Sequence, residues 1–176
     1  MVIVSVAVAG VMGVYMVTTR SSADPLVRKQ ALAIAESLLE EVRAMPFTFC
    51  DPDDPNVYTA TGAAGCTGGA GGANDESRLP LGPEAGETRY AAANPFDNVS
   101  DYAGFDTAAA VPAGICDISG ACIAALAGYR AQVAVVNAAF NGIPAADALL
   151  ITVTVTGPTA ETITLSAVRS RYAPNL

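Results

Sequence analysis

The sequence predicts an α+β protein in which a long N-terminal helix packs on a C-terminal antiparallel sheet of three or more strands. Three observations lead there. Residues 25–45 repeat apolar side chains at three- and four-residue steps, the period of a helix with one covered face. After Tyr129 the period changes to two, the mark of strands with one buried and one wet face. Between them lies a stretch rich in Gly, Ala, Asp, Asn and Pro without either period. A chain of 176 residues suits one domain with a core plus an appendage. The expected division is an apolar half-helix over 1–24 and a globular part over 25–176, made of a helix (25–45), loops (46–128) and a sheet (129–173).

The appendage is "MVIVSVAVAGVMGVYMV", with no charge and twelve Val, Ile, Met or Tyr among its seventeen residues. At roughly 1.5 to 3 kcal/mol per large apolar side chain, exposing them all to water would cost on the order of 20 kcal/mol. As a helix of ~1.5 Å per residue it would be about 25 Å long, slightly short of a ~30 Å hydrocarbon core. Val2, Ile3, Val4, Val6, Val8, Val11, Val14, Tyr15 and Val17 are its apolar surface, expected to lie in a membrane or among helices of the same kind. Gly10 and Gly13 soften it, since each glycine weakens a helix by roughly 1 kcal/mol relative to alanine. Neither a basic n-region nor a clear small-residue cleavage site marks it as a secretory signal. Arg20, Arg28 and Lys29 follow the span, which by the positive-inside tendency places the body in the cytoplasm, whereas the cysteines argue for the outside. Both signals hold together if basic residues once preceded Met1, and the expectation is that the sequence begins inside a longer apolar segment.

The second helix has clear punctuation. Asp24 suits an N-cap, Pro25 the first helical position, and Pro46 ends the run. Val27, Ala31, Ile34, Leu38, Val42 and Met45 form the stripe, widened by Leu32, Ala35 and Leu39. Arg28, Lys29, Glu36, Glu40, Glu41 and Arg43 are read as the solvated face, with Glu40 and Arg43 spaced for an i, i+3 pair.

The four cysteines, Cys50, Cys66, Cys116 and Cys122, fall into two local pairs without a C-x-x-C. An all-cysteine zinc site does not suit these spacings. Two disulfides, Cys50 with Cys66 and Cys116 with Cys122, are the expected reading among three possible pairings, and they imply an oxidising compartment. "TGAAGCTGGAGGAND" is a flexible loop by composition and lacks the lysine and hydroxyl of a phosphate cradle. "CDPDDPNV", with Asp97, Asp101 and Asp106 in "NPFDNVSDYAGFD", gathers the ligands of a hard cation. It fails as an EF-hand, because the fifth, sixth and twelfth positions from Asp51 are Pro55, Asn56 and Gly62. Asx turns in exposed loops are the expected explanation, with no metal or cofactor assigned and a calcium site as the alternative.

At the C-terminal end, "YRAQVAVVNAA", "ALLITVTVT" and "TITLSAVRSRY" read as three strands of a meander, with turns at Asn141 and Gly142 and at "GPTAE". Ile151, Val153 and Val155 alternate with Thr152, Thr154 and Thr156, and Ile163, Leu165 and Ala167 share a face. An apolar sheet face needs a cover, and the helix over 25–45 has the matching stripe.

Charge and composition exclude some functions. A formal charge of -8 with a single lysine argues against nucleic acid, which requires a concentrated basic surface. With no histidine, the commonest general base and transition-metal ligand are missing. "DISGAC" does not fit the nucleophile elbow G-x-S-x-G. The expectation is a protein that is not an enzyme.

Together these features resemble the type IV pilin family, and "DPLVRKQALAIAESLLEEV", "CDPDDPNV" and "NPFDNVSDYAGF" resemble in particular minor pilins of the mannose-sensitive haemagglutinin (MSHA) pilus system. The family's processing motif, a glycine followed by Phe-Thr-Leu-Ile-Glu, is not present, so neither its cleavage site nor its glutamate maps onto a residue here. The resemblance implies a bacterial inner-membrane precursor with a single span and a periplasmic C-terminal domain. This precursor becomes part of an extracellular filament, its partners being other pilin subunits and the inner-membrane assembly machinery. A filament role in assembly or adhesion is the expected function. The alternatives are a minor pseudopilin of a type II secretion apparatus and a membrane-anchored periplasmic module that binds calcium or sugar.

Overall fold

In the computed structural model, Met12 and residues 25–171 are described. Val2, Ile3, Val4, Val6, Val8, Gly10, Val11, Gly13, Val14, Tyr15, Val17 and Asp24, the expected N-cap, lie outside the described residues. Among the described residues, no helix is long and apolar enough to cross a membrane.

Residues 25–44 form a helix, α1. Its stripe is covered where the period places it: Ala31, Ala35, Leu38, Leu39 and Val42 are buried, and Val27, Ile34 and Met45 are packed against the same core. Leu32 departs from the expectation. It is 37% exposed, because it is turned about 100° from Ala31 around the helix, on the flank opposite Ile34. Glu40 and Arg43 pair as their spacing predicts, Nη1 to Oε1 at 2.9 Å.

Three strands follow: β1 (Arg130–Asn137), β2 (Ala148–Thr156) and β3 (Thr162–Ser170). They form one antiparallel sheet in the order β1-β2-β3. The fold is thus α+β. Period-two alternation and register together build three rows across the inner face: Ala131, Val155 and Ile163; Val133, Val153 and Leu165; Val135, Ile151 and Ala167. All nine belong to the core that α1 shares. On the outer face the threonines pair instead, Thr154 with Thr164 at 3.3 Å and Thr152 with Ser166 at 3.2 Å. The Asn141–Gly142 turn is a tight hairpin with both residues at positive φ, 47° and 86°, a conformation for which Asn-Gly is the favoured pair. Phe140 and Ile143 close it with reciprocal backbone hydrogen bonds of 3.1 and 2.8 Å.

Side chains and close approaches fix how α1 lies on the sheet. At its N-terminal end the Tyr129 hydroxyl donates to Gln30 Oε1 at 2.6 Å, and a Cβ on Gly157 would meet Val27 Cγ1 at 2.9 Å. At the other end Arg169 Nη2 donates to the Met45 carbonyl at 3.4 Å. The helix therefore runs against β2 and with β3, over a span of about 27 Å that matches nine residues of strand at ~3.3 Å each.

The chain between α1 and β1 wraps one side. Cys50, Val57, Ala60 and Cys66 make a small separate core with Phe49. Phe96, Tyr102 and Phe105 stack edge to face at 5.1 to 6.2 Å, with Tyr90 against Phe105 at 6.5 Å. Segment 104–107 covers the outer edge of β1: Gly104 N–H donates to Val133 O at 3.1 Å, Val133 N–H to Phe105 O at 2.8 Å, and Thr107 N–H to Ala131 O at 3.0 Å.

Val27 is β-branched and stiff, so the space over Gly157 cannot open cheaply. Gly157→Ala is expected to cost about 1 to 3 kcal/mol through overpacking. Thermal and denaturant unfolding of the full chain in mild detergent, compared with Gly128→Ala at the neighbouring tight position, measures it.

Candidate functional site

Two constellations of charge stand out in the loops, and both join stretches far apart in sequence. Glu41 projects from the last turns of α1. Its two carboxylate oxygens accept from Arg89 Nε and Nη2, each at 2.6 Å, and Oε1 also accepts from the Tyr102 hydroxyl at 2.8 Å. Arg89 further donates to the Cys116 carbonyl at 3.0 Å and lies over the rings of Tyr90 and Phe105, 4.9 and 5.7 Å from their centres. This corrects the reading of Glu41 as part of the solvated face. Its position borders the stripe, and a cation supplied from 48 residues away draws it inward. Burial opposes the Arg89 charge, yet the hydrogen bonds and charge of Glu41 outweigh it and raise its pKa above the ordinary arginine value. Burial and the neighbouring Glu41 charge push the Tyr102 phenol up, so it stays a donor. Beside this pair a groove of about 550 Å³ opens between Ile34 and Leu38 of α1 and Ile115, Ile118 and Ile123 of the second disulfide loop. Its lining is mainly apolar, and Glu41 and Arg89 already satisfy each other.

The second constellation is a seam of seven carboxylates. Cys50 is bonded to Cys66, and Cys116 to Cys122. The first bridge closes a loop that is zipped to 74–76: Asp51 N–H donates to Asn74 O at 3.2 Å and Glu76 N–H to Phe49 O at 3.0 Å. The same segment is tied to 98–99 by Val99 N–H to Pro46 O at 3.0 Å and by Asn98 Nδ2 to Thr48 Oγ1 at 2.7 Å. Asp51, Glu76, Asp97 and Asp101 are thereby drawn together, and the loop over 84–87 adds Glu84 and Glu87. One oxygen from each of Asp51, Glu76 and Glu84 lies within 4.8 Å of the others; the same holds for Asp51, Asp53 and Asp97, and for Glu84, Glu87 and Asp101.

The hydrogen bonds of the seam leave one side of these groups unused. Asp101 Oδ2 accepts the N–H groups of Asn98 and Asp97, at 2.7 and 3.0 Å, at the start of the 3-10 turn Ser100–Tyr102. Glu76 Oε2 accepts the Ser100 hydroxyl. Asp101 Oδ1, Glu76 Oε1, Glu84 Oε2 and Asp97 Oδ1 are buried without a hydrogen-bond partner. None of the ion pairs among the described residues includes any of the seven acids. Arg171 feels the charge of Glu76, but its guanidinium is stacked on Phe47 and Phe49, 4.0 and 3.9 Å from the ring centres.

Burial without a counter-charge raises carboxyl pKa values. Burial followed by the Asp101 charge pushes Glu76 well above the carboxylate range, and burial with the neighbouring Glu87 does so for Glu84. Asp97 is pushed up to about 7 by burial and by the charges of Asp51 and Asp101. Burial raises Asp101 too, against the N–H groups that favour its charge.

The residues singled out in the sequence separate into several roles. Asp51, Asp97 and Asp101 do meet. Asp106 does not: it pairs with Arg130 through Oδ1 and Nε at 2.9 Å. Asp54 turns inward to the N–H groups of Asn56 and Thr67 at 2.8 and 2.7 Å. The expected Asx turns are present, with Asp51, Asp54, Asp75, Asp106 and Asp117 each accepting the N–H two residues on. Glu76, Glu84 and Glu87 were not found from sequence, since isolated glutamates in an aperiodic loop carry no pattern; the one available hint was the excess of 17 acids over 9 bases.

No family model, no curated protein and no solved structure matches this chain.

Removing one partner of the helix-to-loop ion pair strands the other in a half-buried place, so Arg89→Ala is expected to destabilise the protein by about 3 kcal/mol, with Glu41→Gln, which can still accept hydrogen bonds, losing less. Denaturant unfolding of both variants checks the order. For the seam in a chelator, unfolded carboxyls titrate near ~4, whereas the folded groups hold their protons to higher pH. The folded state therefore binds more protons in between, and stability is expected to fall as pH rises from about 4 through about 7. Melting temperatures in EDTA from pH 5 to 8 test this sign.

Proposed function

We propose that this chain is a minor pilin-like subunit of a bacterial surface filament of the MSHA type, with a structural or assembly role that extends to adhesion. The observation that carries the reading is α1 laid along a three-stranded antiparallel meander, seven residues after a seventeen-residue apolar segment. That segment continuing as one long helix into α1 is part of the proposal. An uncharged helix of this kind finds an apolar surrounding either in lipid or in a bundle of like helices, so the same residues serve a membrane precursor and an assembled filament. The disulfides support passage through an oxidising compartment. On this reading the body faces the periplasm, the single span crosses the inner membrane, and the partners are other pilin subunits and the inner-membrane assembly machinery. A minor pseudopilin of a type II secretion apparatus shares the architecture and differs in partners. A periplasmic binding module is the second reading favoured by a specific observation, the carboxylate seam.

Filaments sheared from cells expressing the chain with its own assembly genes are expected to carry it. Val8→Asp, which places a charge in the apolar segment at a cost of roughly 3 kcal/mol in lipid, is expected to abolish incorporation while leaving the disulfides formed. Immunoblots of the sheared and cell fractions decide; wild-type protein absent from filaments and from cross-links to other pilins would favour the binding module.

A further inference from the structure

We propose that the seam of carboxylates is a calcium site, with Asp51 and Glu84 as shared ligands and Glu76 and Asp101 as the buried ones. The inference does not depend on the filament reading, since it concerns the body alone.

An acidic cluster in a loop is common, and exposed acids need no ion. Here the distinguishing observation is burial. Glu76 is 3% exposed and Asp101 0%, and each keeps one oxygen with no hydrogen-bond donor while its other oxygen is satisfied. The two belong to separate oxygen triads joined through Glu84. A buried carboxylate oxygen without donor or cation forfeits its hydration, and here several do so side by side. A cation held in a triad replaces the missing donor of its buried member, and Glu84 is placed to serve the triad of Glu76 or that of Asp101.

The donor type narrows the cation. Every donor is a carboxylate oxygen, with no thiolate and no imidazole, which suits a hard ion. The irregular set of donors, from loops at 51–53, 76, 84–87 and 97–101, also suits calcium, whose shell is flexible, better than an ion that demands an octahedron. The Cys50–Cys66 loop holds Asp51 and Asp53 directly after Cys50, so the disulfide and the ion would fix the same end of that loop.

The test uses the full chain in nonionic detergent, stripped with EDTA and desalted. Calorimetric titration with calcium chloride is expected to give a saturable heat, and millimolar calcium to raise the melting temperature by about 5 °C or more, with magnesium giving less than half the shift. Glu84→Gln, which removes the charge shared by two triads, is expected to weaken calcium binding at least about tenfold. Glu36→Gln, exposed on α1, is expected to leave it unchanged. If Glu84→Gln does not fold, Asp53→Asn at the exposed rim replaces it, with a weaker but measurable loss. No saturable heat and no shift with calcium, an equal response to magnesium, or full calcium binding in the variants would overturn the proposal and leave protons as the seam's counter-charge.

Discussion

Three rows of apolar side chains on one face of the sheet have their cover in the stripe of a single helix, and the rest of the body is arranged around that contact. Leu149, Ile151, Val153 and Val155 of the central strand are fully buried, each contributing roughly 1.5 to 3 kcal/mol that would be lost without the cover. Small residues make the fit possible. Ala31 and Ala35 on the helix and Gly157 after β2 keep the two layers close, and Tyr129 and Arg169 fasten the two ends. With the helix so placed, its flank at Glu41 faces the loops and becomes the anchor to which they are tied.

The loops treat buried charge in two opposite ways. Around Glu41 every charge is answered: a guanidinium in fork geometry, a phenol, a backbone carbonyl and two aromatic rings share the work. Along the seam carboxylate faces carboxylate, and among the described residues no ion pair answers them. The two places lie on successive stretches of the same loop region, with Tyr102 next to Asp101 in one 3-10 turn. A shift of that turn would therefore be felt on both sides, through the phenol on one and the carboxylate on the other.

Periodicity made the helix and the sheet legible. The apolar steps from Val27 to Met45 and the alternation from Ile151 to Val155 each report one face of one element, and register then follows from the pleat. The Asn141–Gly142 turn was legible for a different reason, because its backbone demands φ values those residues tolerate. Side chains whose environment is set by distant loops were not. Nothing in the helical pattern separates Glu41 from Glu40, although one is paired with Arg89 and the other stays at the surface. Local acidic runs pointed to Asp51, Asp97 and Asp101, while Glu76, Glu84 and Glu87 reach the same place through long-range chain crossings that no local rule encodes. Leu32 shows the converse: an apolar residue near a stripe is not thereby part of it.

Segment 104–107 lies along the outer edge of β1 and occupies its backbone groups in the manner of a short extra strand. An open strand edge is a template on which another chain can pair and keep pairing. Occupying the first half of this one, at Ala131 and Val133, blocks edge-to-edge pairing there, so contacts between copies of the body over that stretch run through side chains, where shape and charge discriminate one neighbour from another.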